Sequence, residues 1–254
     1  ASDAGTRAVL MYVESIQAPR KFMSAARAAA RNKPVLVVKA GRAPEGARAA
    51  ASHTGAIAGG DAVFDAAVRR AGMLRVDTLT DLFDAAETLA RMKAPQGDRL
   101  AIVTNGGGAG VLAADALALG GGHLAVLTPQ TLAALDAVLP ATSSRGNPVD
   151  LIGDAPVARY TQALDVVLAD PGVDALLFMH APTAVVPSED IARAVLGRLH
   201  DAPKPAFTCW LGGSAVAPAR ALCRETGIAS YDTPEQAVRA FLHRVDFQRN
   251  QAAL

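Results

Sequence analysis

The sequence has few aromatic residues, few cysteines and almost no net charge. Aromatic side chains make up 4% of the 254 residues and apolar residues 51%, so Ala, Val, Leu and Gly must fill the core, which suits helices packed on parallel strands. The net charge of +1 gives no electrostatic attraction to nucleic acid or to an anionic membrane. The two cysteines, Cys209 and Cys223, lie in apolar patterns typical of buried thiols, and no Cys/His cluster indicates a metal site.

Long hydrophobic runs are also missing. The first residues, Ala1–Arg7, lack the apolar core of a signal peptide. The apolar segment 111–127 is interrupted by Asp115, by three glycines and by His123, so it does not predict a membrane span. We therefore expect a cytoplasmic protein without a membrane or nucleic-acid partner. The sequence does not start with Met, which indicates a fragment of a longer protein or a processed form.

Strands and helices alternate along the whole chain in two series. Apolar runs at 8–13, 34–39 and 73–76 predict three strands of the first series, and a polar break at 93–98 ends it. The second series has predicted strands near 100–104, 124–127, 173–179, 205–211 and 228. Its predicted helices include one from about Val111 to Leu119, one opened by Thr128-Pro129 and one over Val157–Ala169. This alternation predicts an α/β fold of parallel sheets with flanking helices. We expect one partial flavodoxin-like domain over 1–94 and one complete flavodoxin-like domain over 97–254.

A histidine in a glycine-containing segment is the main candidate for chemistry. His53 lies in Ser52–Ala56, which we expect to be a loop between the strand at 34–39 and a helix from about Gly60. The start of a helix offers unpaired N–H groups to an anion, and a histidine can carry a phosphoryl group covalently. The alternative for a single histidine in a loop is a polar residue that caps a helix or lies at the surface, with no chemical role. Lys39 and Arg42 either neutralise a phosphate or are ordinary loop charges.

A glycine run follows the first strand of the second series. Its residues are Gly106, Gly107, Gly108, Ala109 and Gly110. Their backbone N–H groups can reach an anion without side chains in the way. The alternative is a tight strand-to-helix turn, but three adjacent glycines exceed what a turn needs, so the run favours phosphate binding.

Other polar residues lie at predicted strand ends, where open α/β sheets place functional groups. Glu14 follows the first strand, and its carboxylate can bind one imidazole nitrogen and leave the other free to attack. The alternative for Glu14 is a solvated acid. Asn147 and Asp150 belong to an Asn-Pro-Val-Asp segment, and Asp150 either shapes a site or caps a helix. His180 ends the strand at 173–179.

Four segments, in this order, resemble the NDP-forming acyl-CoA synthetases, which are relatives of succinyl-CoA synthetase. They are Tyr12–Ile16, Lys33–Gly59, Thr104–Asp115 and Leu139–Leu151. The family usually has Ala-Gly-Gly-Pro-Gly where this chain has Gly-Gly-Gly-Ala-Gly at 106–110. Its members also carry a coenzyme A-binding Rossmann domain and a nucleotide-binding ATP-grasp module, which this chain lacks.

The resemblance implies an acid–thiol ligase that converts acyl-CoA, phosphate and a nucleoside diphosphate into acid, coenzyme A and a nucleoside triphosphate. It implies that His53 takes the phosphoryl group from an acyl phosphate, with Glu14 as its orienting partner, and passes it on after its loop swings. Coenzyme A and ADP/ATP with Mg are expected in the complete enzyme, together with the missing CoA-binding and ATP-grasp domains or subunits. We expect none of them to bind tightly to this chain alone, and a homo-oligomer is compatible with these observations. The alternative function is that of an effector-binding module of a protein lysine acetyltransferase. The acyl group, and ADP versus GDP, stay open.

Overall fold

The computed structural model describes residues 3–54, 60–144 and 146–254, with the side chains of His53 and Thr54 left aside. The chain forms two compact units. Unit 1 comprises Ala1–Ala90 with His243–Leu254, and unit 2 comprises Arg91–Leu242. The predicted break at 93–98 therefore lies just after the observed division. Residues 243–254 belong to unit 1, whereas the sequence analysis assigns them to the second domain.

Unit 1 is built on a three-stranded parallel sheet in the order β1-β2-β3. The first seven elements of the chain are β1 (Val9–Val13), α1 (Pro19–Ala30), β2 (Val35–Lys39), α2 (Pro44–Thr54), α3 (Asp61–Arg70), β3 (Leu74–Val76) and α4 (Leu79–Arg91). In the register of the sheet, Val13 of β1 lies opposite Lys39 of β2. The residues that follow β1 therefore lie beside the end of β2, at the edge of the sheet formed by the carboxyl ends of its strands.

The central strand β2 is buried on both faces. Val35 and Val37 pack against α3 through Phe64, while Leu36 and Val38 pack on the other face against Leu82 of α4 and its neighbours. Such a strand needs apolar side chains at every position, which is why its sequence forms a continuous apolar run.

Helix α2 corrects the predicted loop around His53. The backbone is helical from Pro44 to Thr54, so His53 lies in the last turn of a helix. Pro44 at the start fixes a helical φ, Glu45 suits the positive end of the helix, and the alanines that follow are strong helix formers. The next helix, α3, begins only at Asp61.

Unit 2 is a parallel sheet in the order β5-β4-β7-β8-β9, with β6 also paired to β4. Its elements are β4 (Arg99–Thr104), α5 (Gly107–Leu119), β5 (His123–Leu124), α6 (Pro129–Val138), β6 (Val149–Asp150), α7 (Val157–Ala169), β7 (Ala175–His180), α8 (Ser188–Asp201), β8 (Ala206–Trp210), a 3-10 helix (Gly213–Val216), α9 (Ala217–Thr226), β9 (Ser230–Tyr231) and α10 (Pro234–Ala252), whose residues from His243 belong to unit 1. The five main strands have the flavodoxin order, in which ligands bind at the carboxyl ends where the strand order reverses. That point lies between β4 and β7.

Helix starts show why some elements were predictable. Thr128 caps α6, since its Oγ1 accepts from the backbone N–H of Thr131 at 3.3 Å, as the Thr-Pro pair predicts. Thr78 and Asp81 cap α4 reciprocally, through Asp81 N to Thr78 Oγ1 at 3.0 Å and Thr78 N to Asp81 Oδ2 at 3.2 Å. In the described part of the chain, no helix combines the length and apolarity that crossing a bilayer requires.

Candidate functional site

Glu14 and Lys39 lie together at the edge of the unit 1 sheet. The Lys39 ammonium donates to the backbone carbonyl of Glu14 at 2.9 Å and to that of Ala40 at 2.6 Å. Lys39 is only 5% exposed. Burial lowers the pKa of its ammonium, and the nearby Asp61 and Glu14 carboxylates partly oppose that shift. The predicted cation is thus a buried group at the carboxyl end of the sheet.

A largely buried arginine of β3, Arg75, completes this region and is not among the residues predicted from the sequence. Arg75 donates to Asp61 Oδ1 at 2.6 Å, and its side chain is 9% exposed. The Phe64 ring lies 5.6 Å from the Arg75 guanidinium and 5.7 Å from the Lys39 ammonium, within the range of cation–π contacts. The signal was present in the sequence, since an arginine inside a buried strand requires an acidic partner.

Arg42 is paired with acids of unit 1. It donates to Asp77, and its Nε lies 3.7 Å from Asp61 Oδ2. Its side chain is half-exposed. Its charge is therefore already shared between two carboxylates, and a phosphate there would have to compete with them.

His53 is described only through its backbone, at the carboxyl-terminal end of α2. Its side chain lies outside the described structure, as do residues 55–59. The helix start expected directly after His53 is the start of α3 at Asp61, where the first side chain is an acid paired with Arg75. The phosphoryl role of His53 stays a prediction.

In unit 2, Asn105 joins the two strands at the point where the strand order reverses. Its Nδ2 donates to the carbonyl of Ala181 at 2.8 Å, and its Oδ1 accepts from the Ala181 N–H at 2.8 Å. Asn105 is buried. These bonds hold the end of β4 beside the end of β7, and the sequence analysis does not single out Asn105.

The glycine run forms the first turn of α5, which begins at Gly107 and not at the predicted Val111. The Gly106 amide donates to Thr104 Oγ1 at 3.0 Å. The amides of Ala109 and Gly110 both donate to the Gly106 carbonyl, at 3.0 and 3.2 Å. Any anion at this helix start would therefore rely on the amides of Gly107 and Gly108.

Close approach explains two of these glycines and leaves one without a steric reason. A Cβ on Gly107 would lie 2.7 Å from Asp150 Oδ2, and a Cβ on Gly110 would lie 3.2 Å from Pro148 Cβ. A Cβ on Gly108 would meet nothing within 4 Å. Packing does not require a glycine at Gly108.

Asp150 lies at the start of α5. Its Oδ1 accepts from the backbone N–H of Ile152 at 2.9 Å. Its Oδ2 is the atom that a Cβ on Gly107 would approach most closely. A carboxylate is favoured at the positive end of a helix. Asp150 therefore already places a negative charge beside the amides that a phosphate would use.

Asn147 and His180 have partners within the fold. The Asn147 amide accepts from Ile102 N at 2.9 Å and donates to the carbonyls of Leu100 at 2.8 Å and Ala125 at 3.0 Å. These bonds give Asn147 a structural role in the sheet, and its site role stays a prediction.

His180 is buried at the end of β7, 1% exposed. Its Nδ1 lies 3.3 Å from Tyr160 Oη and its Nε2 lies 3.0 Å from Ser188 Oγ. Burial lowers the pKa of His180 to about 4, so the ring is neutral near pH 7. Both ring nitrogens are engaged, which suits a role in positioning strands and helices.

Comparison with known proteins identifies both parts of the chain. Residues 1–89 match the model of the succinyl-CoA ligase like flavodoxin domain, and residues 100–249 match that of the Ligase-CoA domain. The chain belongs to the NDP-forming acyl-CoA synthetase family. This confirms the resemblance drawn from the four sequence segments, and the flavodoxin-like fold.

The similarity to individual relatives extends over nearly the whole length of this chain. It is 38% identical over 240 residues to the alpha subunit of an ADP-forming acetate–CoA ligase I of Pyrococcus furiosus, covering 94% of this chain and 52% of that protein. It is 40% identical over 240 residues to the ADP-forming acetate–CoA ligase I of Archaeoglobus fulgidus, covering 94% and 34%. A solved structure of the dinucleotide-forming acetyl-coenzyme A synthetase 1 of Ca. Korarchaeum cryptofilum, in complex with phosphate and ADP, superposes with a TM-score of 0.88 at 35% identity, covering 99% of this chain and 55% of the other. The chain thus spans about a third to about half of the length of these proteins.

Proposed function

We propose that this chain is the phosphohistidine-bearing part of an acyl-CoA ligase that forms a nucleoside triphosphate. The observation that carries the proposal is the meeting of Glu14 and the buried Lys39 at one sheet edge, within the segments that identify the family. His53 is the proposed phosphoryl acceptor. The relatives are named as ADP-forming acetate–CoA ligases, which supports acyl-CoA, phosphate and ADP as the reactants.

Glu14 and Lys39 have separate proposed tasks. Glu14 orients the imidazole of His53, because a carboxylate bonded to one ring nitrogen leaves the other as the nucleophile. Lys39 places a positive charge at the same edge, where a phosphoryl group in transit spreads negative charge over its oxygens. The two carbonyls that accept from Lys39 fix the position of that charge.

The start of α5 is the proposed second anion site, in unit 2. The amides of Gly107 and Gly108 would hold a phosphate, and the Asp150 carboxylate has to move aside when a phosphate binds there. Coenzyme A, the nucleotide and Mg²⁺ belong to the complete assembly, in which Mg²⁺ would be carried by nucleotide phosphates. Among the described residues, no group of three His, Cys, Asp or Glu side chains could hold a metal ion.

The test is a phosphorylation map of the complete protein that contains this chain. It is incubated with ATP and Mg²⁺, digested under non-acidic conditions and analysed by mass spectrometry. We expect an acid-labile phosphate on His53 that is lost in His53→Ala and kept in His200→Ala, because His200 is exposed in unit 2. Glu14→Gln should slow phosphorylation by about 100-fold, the lower end of what a positioned acid–base group contributes to a rate.

Two outcomes would contradict the proposal. One is an acid-labile phosphate on another residue, and the other is an undiminished signal in His53→Ala. An effector-binding module would give no phosphohistidine at all and would still bind its effector.

A further inference from the structure

A small cavity in unit 1 lies between α1 and α3, directly after Glu14. Its volume is about 230 Å³, and most of its lining is apolar. The residues that define it here are Ile16, Phe22, Met23, Phe64, Ala67 and Lys39. The mechanism proposed above uses Lys39 but gives the cavity itself no role.

One buried cation lines this apolar space. An ammonium has three N–H donors, and Lys39 gives two of them to the carbonyls of Glu14 and Ala40. The third meets no acceptor among the residues that the structure describes. The Asp61 and Glu14 carboxylates act on this charge, but neither is among the residues that line the cavity. On the cavity side the ammonium therefore faces mostly apolar walls, where an anion or a strong acceptor stabilises a charge best. The cavity is therefore suited to a ligand with an anionic or strongly accepting head and an apolar tail.

The size of the cavity limits the tail. Pockets for drug-sized ligands measure about 300–1,000 Å³, so about 230 Å³ admits only a short chain. Ser15, next in sequence to Glu14, is one of the residues that line the cavity. A ligand bound here would lie beside the residue proposed to orient the phosphoryl-carrying histidine.

We propose that this cavity holds the acyl chain of the substrate, a short apolar carboxylic acid, with Lys39 bound to its carboxylate. This inference rests on the proposed ligase function, because that function supplies the carboxylic acid. It also assigns acyl selectivity to residues of α1 and α3, since their side chains set the length and width of the cavity.

Direct binding can be measured on residues 1–254 labelled with ¹³C at the methionine methyl groups. The sequence has five methionines, of which Met23 lines the cavity and Met179 lies in unit 2. Titration with pentanoate should shift the Met23 signal to saturation and leave the Met179 signal in place. The neutral pentanamide should bind about tenfold more weakly or worse, a difference of about 1.4 kcal/mol. An unchanged Met23 signal, or equal binding of pentanamide, would overturn the proposal.

A filled cavity tests selectivity in the complete enzyme. Ala67→Leu extends a side chain into the cavity, and Ala62→Leu adds the same group on the exposed face of α3. For Ala67→Leu we expect the ratio of kcat/KM for pentanoate to that for acetate to fall about tenfold, since one misfit alkyl group changes selectivity by about 10–200-fold. Ala62→Leu should keep the wild-type ratio. A wild-type ratio in Ala67→Leu would refute the assignment.

The two proposals can fail separately. Phosphorylation from ATP needs no acyl group, so phosphohistidine formation in the wild-type enzyme tests the proposed function independently of the cavity. A wild-type enzyme without phosphohistidine refutes the proposed function, whereas the Met23 titration still decides whether the cavity binds carboxylates.

Discussion

Gly108→Ala separates anion binding from folding at the start of α5. A methyl group on Gly108 meets nothing within 4 Å, and the residue is exposed in a helix. Replacing a helical glycine by alanine stabilises by about 0.5–1 kcal/mol. We therefore expect Gly108→Ala to be at least as stable as the wild type. The same methyl group lies on the residue whose amide a phosphate would approach, and we expect it to crowd that approach.

Gly107→Ala is the matched comparison. Its Cβ would lie 2.7 Å from Asp150 Oδ2, so the carboxylate has to shift and its bond to the Ile152 N–H at 2.9 Å is weakened. A hydrogen bond to a charged group is worth about 1.5–3 kcal/mol, so weakening it offsets the gain in helix propensity. Gly107→Ala should thus be neutral or slightly destabilised, with its phosphate approach also blocked.

Two measurements decide the outcome. Urea unfolding followed by the fluorescence of Trp210, the one tryptophan of the sequence, reports the stability of unit 2. Phosphohistidine formation in the complete protein reports function. Losing one hydrogen bond to a charged group costs about 1.5–3 kcal/mol, or roughly a 10–150-fold slower reaction. Wild-type phosphorylation in a fully stable Gly108→Ala would refute the anion site, and a loss of stability would show that the backbone there requires glycine.

Three further predictions concern stability. Burial lowers the pKa of His180 from its ordinary 6.5 to about 4. As the pH falls, the unfolded chain therefore binds the proton first, and the folded state loses stability below pH 6.5. One such group lowers the free energy of unfolding by about 1.4 kcal/mol per pH unit, or about 2 kcal/mol from pH 6.5 to 5. The Trp210 transition should show this loss, and His180→Gln should remove it; an unchanged pH slope would contradict the argument. Asn147→Ala leaves buried strand groups without partners and should cost unit 2 about 2–4 kcal/mol, and a loss below about 1 kcal/mol would argue against its structural role. Arg75→Met leaves the half-buried Asp61 without its closest cation and should lower the free energy of unfolding of unit 1 by about 2 kcal/mol. Urea unfolding followed by the Met23 methyl signal measures this loss. The control Arg69→Met breaks only an exposed ion pair and should stay within about 0.5 kcal/mol of the wild type.

Elements with a strong local signal were predictable from the sequence. Helix α7 spans Val157–Ala169, the range that its periodicity predicts. The Thr128 cap and the continuous apolar run of β2 were equally clear, because a cap and a buried parallel strand each impose a pattern on neighbouring residues. The same patterns gave the fold class, and four ordered segments gave the family.

Local patterns failed where tertiary contacts decide the structure. Helix α2 was missed because the polar and glycine-containing segment Ser52–Ala56 around His53 was interpreted as a loop. The α5 start was placed too late because glycines usually mark turns, although two of them serve close approach to Asp150 and Pro148. The partners of Asn147 are 22 to 47 residues away in sequence, which no local pattern reveals.

Unit 1 is formed by two segments that are far apart in the sequence, and this affects both its folding during synthesis and the design of fragments. Near the chain end, Asn250 donates to the Met73 carbonyl at 2.8 Å, Gln251 donates to the Ala30 carbonyl at 3.2 Å, and Phe247 packs on the core of the unit. During synthesis, the ribosome makes about 150 residues after Ala90 before it reaches residue 243. At about 5–20 residues per second, this delay lasts roughly 8–30 s. A nascent unit 1 must therefore wait for its final helical segment while unit 2 is being made. For the same reason, a recombinant fragment that stops near residue 94 would lack part of its own core, whereas a circular permutant or a fragment joined to 243–254 would keep it.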